Sequence, residues 1–358
     1  MSIAERVRQL IAERGETQAA FAAEVGLDQT KLSKSLSGVR RFSSLDLALI
    51  SQTCEVTVDW LVTGDELPVA AAARAASGSA ASEALHCARH YSTLRSDLAA
   101  LGYPQNWTVP ELPRLGGLWK QQGQQLASAA LEQLSRVGDL LQDALPDLIE
   151  QAFGIDVAIQ PLGEGFDGLA VSTAELKLIL ASPQAVPARQ RFTVAHELAH
   201  LLASDDQQIH TDVDIYRTER VESEVRANAF AAALLMPEDV LAASVTAAFD
   251  KAAFCRLATE LRVSPSSLAI RLEDLRLIDG GSRDRWRQIS GAEAARVSTL
   301  ASVVGRQALQ STQLRPPGLL LRDAYAAYAN GDATLRLYAS LLGTSTDELR
   351  ATWEQAGD

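Results

Sequence analysis

Residues 191–202 have the sequence Arg-Phe-Thr-Val-Ala-His-Glu-Leu-Ala-His-Leu-Leu. Their apolar residues recur at helical spacing, so we predict an α-helix here. His196 and His200 are four positions apart, which places both imidazoles on one face of that helix, a turn apart. Glu197 stands beside the first histidine and can take a proton from a water molecule. The pattern His-Glu-x-x-His is typical of a metal-dependent hydrolase.

A second apolar helix is predicted from about Glu222 to the residue before Pro237, which cannot continue a helix. Glu224 and Asn228 on this helix repeat the spacing of four. A carboxylate that arrives from a second helix completes a three-ligand metal site and leaves a fourth position open. Together, the two helices therefore predict a metallopeptidase site.

These two stretches resemble the ImmA/IrrE family of metallopeptidases over about residues 145–280. The resemblance is carried by residues 191–202 and by Glu224-x-x-Ala-Asn-x-Phe-Ala-x-x-Leu-Leu-Met-Pro237. The family is similar to gluzincins, which take their third ligand from the later helix. For this chain the resemblance implies three ligands and one catalytic base: His196, His200 and Glu224 for the metal, and Glu197 for the base.

The resemblance implies Zn²⁺ as the metal, and the same ligands suit Mn²⁺ or another divalent ion. Glu222 is the alternative third ligand, but it lies about 200° around the helix from Glu224, so only one of the two can face the metal. Asn228 is placed to orient a ligating imidazole. His210 and Tyr216, between the two helices, are candidates for stabilising the oxyanion of the reaction.

Near the N-terminus, residues 17–38 have the pattern helix, tight turn, helix. Thr17 and Asp28 are natural N-caps, and Gly26 permits the turn. With one helix before and two after, residues 1–65 resemble the five-helix DNA-binding domain of phage-repressor (XRE) type regulators. Helix-turn-helix units of this kind place their second helix in the major groove of double-stranded DNA.

Residues 28–41 contain four basic side chains and one acidic one, whereas the whole chain has a net charge of −12. A short basic edge is typical of a DNA binder that works as a dimer, so we expect a homodimer on a duplex operator. The alternative to DNA binding is a domain that only dimerises or binds a partner protein. The candidate DNA-contacting residues are Gln18, Gln29, Thr30, Lys31, Lys34, Arg40 and Arg41.

Three further segments complete the predicted organisation. Residues 66–82 are rich in Ala and Ser and are predicted to be a linker. Residues 83–144 are predicted to be a helical insert that either covers the cleft or mediates dimerisation, and residues 281–358 a helical C-terminal domain. In the insert, His86 and His90 also lie four apart, next to Cys87, but without a third donor an ordinary helix face is favoured over a second metal site. An inhibitory role for the Cys87 thiol at the metal stays open.

Short β-type runs at residues 155–160, 168–172 and 176–181 predict a small antiparallel sheet, with the last strand leading into the histidine helix. An exposed edge of this sheet can hold an extended peptide. The expected fold class is therefore α+β: mainly α with a small antiparallel β-sheet.

The chain has 358 residues, of which 47% are hydrophobic, enough for two to three folded units. Its three cysteines, an odd number without a Cys-x-x-Cys pair, favour a reducing compartment. No apolar run reaches the roughly 20 residues of a membrane span, and the N-terminus lacks a signal-peptide core. We therefore expect a cytoplasmic protein without a membrane partner.

These features lead to two hypotheses. The first is a DNA-binding regulator fused to a zinc-dependent endopeptidase that cleaves a helix-turn-helix repressor, or the chain itself, in a stress or mobile-element response. The second is a transcriptional repressor whose peptidase-like domain senses a ligand or metal without catalysis. The carboxylate of Glu197 distinguishes them, because only the first hypothesis requires it as a base.

Overall fold

Helices dominate the structure, because apolar residues recur every three to four positions along most of the chain. The computed structural model describes residues 2–54, 56, 58–63, 79–108, 118–163, 166–204 and 216–356. The chain divides into two compact units, Met1–Ser77 and Gly78–Asp358. Among the described residues, none of the helices combines the length and the apolar character needed to cross a membrane.

The described residues of the first unit form five helices: α1 (Ile3–Glu13), α2 (Gln18–Glu24), α3 (Gln29–Leu36), α4 (Ser44–Cys54) and α5 (Val58–Thr63). Thr17 caps α2 by accepting a hydrogen bond from the Ala20 N–H, and Asp28 caps α3 through the Lys31 N–H. Gly26 has a φ of 69°, which lets the chain turn between these helices. The apolar side chains of the five helices meet in one core, which includes Val7, Phe21, Val25, Leu32, Leu36, Ile50 and Leu61.

The second unit begins with three helices and three strands: α6 (Ser79–Ala100), α7 (Trp119–Val137), α8 (Leu145–Phe153), β1 (Asp156–Ile159), β2 (Gly168–Ser172) and β3 (Lys177–Ala181). The helices with the predicted site follow: α9 (Pro187–Leu202) and α10 (Tyr216–Leu235). The remaining helices are α11 (Glu238–Ser244), α12 (Lys251–Glu260), α13 (Pro265–Asp274), α14 (Gly280–Trp286), α15 (Gly291–Val297), α16 (Ala301–Ser311), α17 (Gly318–Asn330), α18 (Leu335–Leu341) and α19 (Thr346–Ala356).

The sheet is mixed, so the prediction of an antiparallel sheet was wrong. Its order is β1-β3-β2, with β3 parallel to β1 and antiparallel to β2. The last strand lies between the first two, and its side chains from Leu178 to Ala181 are buried. Part of the outer edge of β1 is occupied by Arg315, which exchanges backbone hydrogen bonds with Ile159. The edge strand next to α9 is therefore β2.

The helices of the predicted insert pack within the second unit. Gly123 of α7 approaches α10 so closely that a Cβ atom here would lie 2.3 Å from the Arg226 carbonyl oxygen. In α6 the fully buried Arg95 guanidinium pairs with Asp156 of β1, at 2.8 Å, and with Asp323 of α17, at 2.7 Å. Burial of these charges is offset by their pairing, so this triad ties three distant segments together.

Candidate metal centre

Helices α9 and α10 bring together the three side chains that the sequence predicts as metal ligands. The candidate ligand atoms of His196, His200 and Glu224 all lie within 4.8 Å of one another. The Nε2 atoms of the two histidines are 3.1 Å apart. The Glu224 carboxylate lies 3.2 Å from Nε2 of His196 and 3.7 Å from Nε2 of His200. Three donor atoms from two helices thus converge on one point.

The donor set fits a divalent metal. Two imidazole nitrogens and one carboxylate oxygen are ligands that Zn²⁺ accepts, with a fourth position left for a water or a substrate. The Glu224 side chain is 47% exposed, so this position is accessible from solvent. In the described part of the chain, no other group of three or more His, Cys, Asp or Glu residues converges in this way. Neither Glu222 nor the His86, Cys87 and His90 segment belongs to such a group.

Glu197 lies in a largely enclosed position next to the edge strand. Burial raises the pKa of its carboxyl group, although the two neighbouring histidines and a hydrogen bond from the backbone N–H of Ala170 oppose the rise. Gly168, which lies on β2 with Ala170, has no side chain and so leaves room for Glu197. A Cβ atom at Gly168 would come within 3.2 Å of the Glu197 side chain and 2.4 Å of Thr193. The strand and the helix can therefore approach closely, and Glu197 sits where the outer edge of β2 meets the metal centre.

The two histidines have different electrostatic surroundings. Burial lowers the pKa of His200. Burial also acts to lower the pKa of His196, but the hydrogen bond that its imidazole donates to Glu224 and the Glu197 charge outweigh it, and the pKa of His196 is raised. Asn228 Oδ1 lies 3.2 Å from Nδ1 of His196. In the tautomer that leaves Nε2 as the acceptor for a metal, Nδ1 donates to Asn228, which holds the imidazole ring in place.

The sequence did not predict the residues that hold α10 against α7. Nη1 of Arg226 donates to the Gln122 side-chain oxygen at 3.2 Å, and its guanidinium lies 5.0 Å from the centre of the Trp119 ring. With Gly123, these residues seat the helix that carries Glu224 against α7. Gln122 and Arg226 are 104 positions apart, so no local pattern predicts their pairing.

The other predicted site residues are distributed as follows. His210 lies outside the described residues, and Tyr216 begins α10 with a side chain that is outside them too. In the first unit, the side chains of Gln18, Gln29, Thr30, Lys31, Lys34 and Arg41 are exposed. Arg40 differs, because its Nη1 atom donates to Asp46 at 2.7 Å and to Ser35 at 3.1 Å. These bonds hold the Arg40 guanidinium against the segment between α3 and α4. They compete with a contact between Arg40 and a DNA phosphate.

The mixed sheet, the His-Glu-x-x-His helix and the glutamate on a later helix are features of the metallopeptidase class. Residues 150–273 match the IrrE N-terminal-like domain of the Peptidase_M78 family. Over these residues the chain is similar to the ImmA/IrrE family of peptidases, which supports the resemblance that the sequence motifs indicated.

Two curated proteins are similar to part of the chain, and each bears the name radiation response metalloprotease IrrE. The protein from Deinococcus radiodurans is 41% identical over 95 residues, which cover 25% of this chain and 27% of that protein. The protein from Deinococcus deserti is 40% identical over 91 residues, which cover 25% of this chain and 31% of that protein. The chain therefore spans less than a third of either relative.

Proposed function

We propose that this chain is a DNA-binding regulator with a zinc-dependent endopeptidase that cleaves a transcriptional regulator. The observation that carries the peptidase is the convergence of His196, His200 and Glu224 beside the enclosed carboxylate of Glu197. His196, His200 and Glu224 would hold a divalent metal, which would supply Lewis-acid chemistry at the substrate carbonyl. Zn²⁺ is the preferred ion, because two His and one carboxylate with one open position suit it.

The residues of the chain supply the remaining parts of the reaction. Glu197 takes a proton from the attacking water and delivers it to the leaving amine, because its carboxylate lies beside the metal ligands. Asn228 keeps His196 oriented. An extended peptide that pairs with the outer edge of β2 passes Glu197, because Ala170 of that strand contacts this carboxylate. The substrate is therefore a protein segment in extended conformation.

The first unit supports the DNA-binding part of the proposal. Its α2 and α3 are joined by the tight turn at Gly26, and α3 presents Gln29, Lys31 and Lys34 to solvent. Such a helix fits the major groove, with a homodimer on paired half-sites. We propose that the substrate is a helix-turn-helix repressor or the chain itself, and that the response serves stress or a mobile element. The three cysteines are free, which suits a cytoplasmic location.

The proposal is tested by intact-mass spectrometry of the purified chain with Zn²⁺, Mn²⁺ or EDTA, alone and with any helix-turn-helix repressor encoded beside it. The Glu197→Gln variant removes the base, whereas Glu222→Gln changes the same group on α10 outside the donor cluster. We expect cleavage by the wild type and Glu222→Gln that is lost with EDTA and falls by orders of magnitude in Glu197→Gln. An intact chain and partner under every metal, with DNA binding retained, contradicts the endopeptidase and favours the sensor-repressor.

A further inference from the structure

A cavity of about 330 Å³ lies at the N-terminal end of α9. Its walls come from the start of α8, from the first turns of α9 and from the segment that ends α16. Apolar side chains, among them Leu145, Val194 and Leu314, form one part of its lining. The other part carries charge: Arg191 and Arg262 on one side, and Arg315 with Asp147 on another.

Arg191 and Arg262 lack carboxylate partners within the described residues. Arg191 donates to the Leu140 carbonyl at 3.2 Å, and its Nε atom is buried without a hydrogen-bond partner. Arg262 donates to the carbonyls of Gln142, at 3.2 Å, and Asp143, at 3.5 Å. A guanidinium has five N–H donors, so both residues keep donors for a ligand.

The third arginine of the cavity is already neutralised. Arg315 pairs with Asp147 at 2.6 Å and with Glu150 at 2.5 Å. The three guanidinium groups thus face two carboxylates, which leaves one net positive charge, and neither carboxylate pairs with Arg191 or Arg262. Burial and the neighbouring Arg262 charge lower the pKa of Arg191 to about 10, as expected for a desolvated cation beside a like charge.

We propose that this cavity binds a small organic anion, with an apolar body and one phosphate or carboxylate group that pairs with Arg191 and Arg262. Guanidinium groups recognise both kinds of anion through paired N–H donors, and a buried charge gains most from such pairing. The cavity volume lies within the range of small-molecule sites. The ligand would touch Arg191 and Val194 on α9, the helix that carries His196 and Glu197. An effect on cleavage rests on the proposed function, whereas binding itself does not.

The experiment measures binding to the full chain by isothermal titration, in a buffer free of phosphate and carboxylate. The probes share an aromatic body: phenyl phosphate, benzoate and the neutral benzyl alcohol. Variants Arg191→Gln and Arg262→Gln remove one charge each, and Arg191→Lys keeps the charge. Arg306→Gln is the matched control, because Arg306 is exposed on α16 and does not line the cavity. Each titration is repeated in EDTA, since an anion can also bind a metal.

We expect phenyl phosphate or benzoate to bind the wild type and Arg306→Gln equally, with or without EDTA. The preferred probe identifies the anion as phosphate or carboxylate. Binding should weaken at least 10-fold in Arg262→Gln and in Arg191→Gln, and less in Arg191→Lys. If Arg191→Gln does not fold, Arg262→Gln carries the test. The proposal is overturned if no anion binds, if benzyl alcohol binds as well as the anions, if EDTA abolishes binding, or if Arg262→Gln binds like the wild type.

Discussion

Nδ1 of His196 on α9 lies 3.2 Å from Oδ1 of Asn228 on α10. Nε2 of the same histidine lies 3.2 Å from the carboxylate of Glu224, which precedes Asn228 by one turn of α10. Both ring nitrogens of His196 therefore contact α10. A hydrogen bond to the far nitrogen of a ligating imidazole fixes both its tautomer and its ring orientation. The metal centre thus depends on the seating of α10 as well as on the motif in α9.

Replacement of Asn228 by Ala tests this link. We expect roughly 10- to 100-fold weaker Zn²⁺ binding, because the imidazole loses its orienting acceptor. Competition with a chromophoric chelator measures the affinity. The control is Asn330→Ala, which removes an exposed amide that donates to Tyr103. Equal affinities in the two variants would contradict an orienting role for Asn228.

The close approach of α7 and α10 predicts a large effect of one methyl group. In Gly123→Ala the new Cβ would lie 2.3 Å from the Arg226 carbonyl oxygen and must push the helices apart. We expect a loss of about 1–3 kcal/mol in unfolding free energy, together with weaker metal binding because Glu224 moves with α10. Gly305→Ala in α16 is the control, since nothing lies within 4 Å of its added Cβ. Urea denaturation should show this control to be neutral or slightly stabilised.

The buried charge triad predicts a strong dependence on Arg95. Its partners Asp156 and Asp323 are almost fully enclosed, so Arg95→Leu leaves the buried carboxylate of Asp156 without its cation and Asp323 with Arg322 alone. We expect a loss of about 3–5 kcal/mol in unfolding free energy. The exposed pair of Arg136 with Glu132 offers the comparison, and Arg136→Leu should change stability by no more than about 0.5 kcal/mol. Similar losses in both variants would show that the triad does not tie the unit together.

Thiol reactivity tests the environment of the cysteines and the earlier idea of an inhibitory thiol. Burial raises the pKa of Cys54 and of Cys87 to about 11, and burial also raises the pKa of Cys255. The thiolate is the reactive form, so its fraction at pH 8 is small and rises about 10-fold for each unit of pH. We expect slow reaction of the native chain with a disulfide reagent at pH 8, faster reaction at pH 9, and rapid reaction after denaturation.

A thiol of the native chain that reacts rapidly with the disulfide reagent at pH 8 would contradict these raised pKa values. The Cys87→Ser variant completes the test, because a thiol that blocked the metal would weaken metal binding in the wild type. We expect the variant to bind Zn²⁺ with unchanged affinity, since Cys87 does not belong to the converging donors.

Salt dependence tests the DNA-binding proposal. Lys31 and Lys34 are exposed on α3, and each phosphate contact contributes a salt slope of about 0.9. Substitution of both by Gln should weaken binding to a duplex and reduce the slope by about 2. Fluorescence anisotropy with a random duplex measures this, and Lys120→Gln in the second unit is the control. An unchanged slope in the double variant would argue for a domain that contacts protein instead.

The helix caps of the first unit and the bounds of the three strands could be predicted from local sequence. Thr17 and Asp28 cap helices because their side chains reach the N–H groups three positions ahead, and the structure confirms both caps. The predicted strands match the observed ones to within a residue at each end. The order of those strands was not predicted correctly, since the antiparallel expectation assumed that neighbours in sequence are neighbours in the sheet.

The sequence by itself determined the relations that lie within one helix. His196, Glu197 and His200 follow from 3.6 residues per turn, and so does the alignment of Glu224 with Asn228. Only the tertiary structure decided that β2 is the edge beside Glu197, that Gly123 packs against α10, and that two arginines share a cavity without carboxylate partners among the described residues. Contacts of this kind join residues that are far apart in sequence, such as Arg95 and Asp323, which are 228 positions apart. Such pairings depend on how the whole core packs, whereas helical spacing depends only on the backbone.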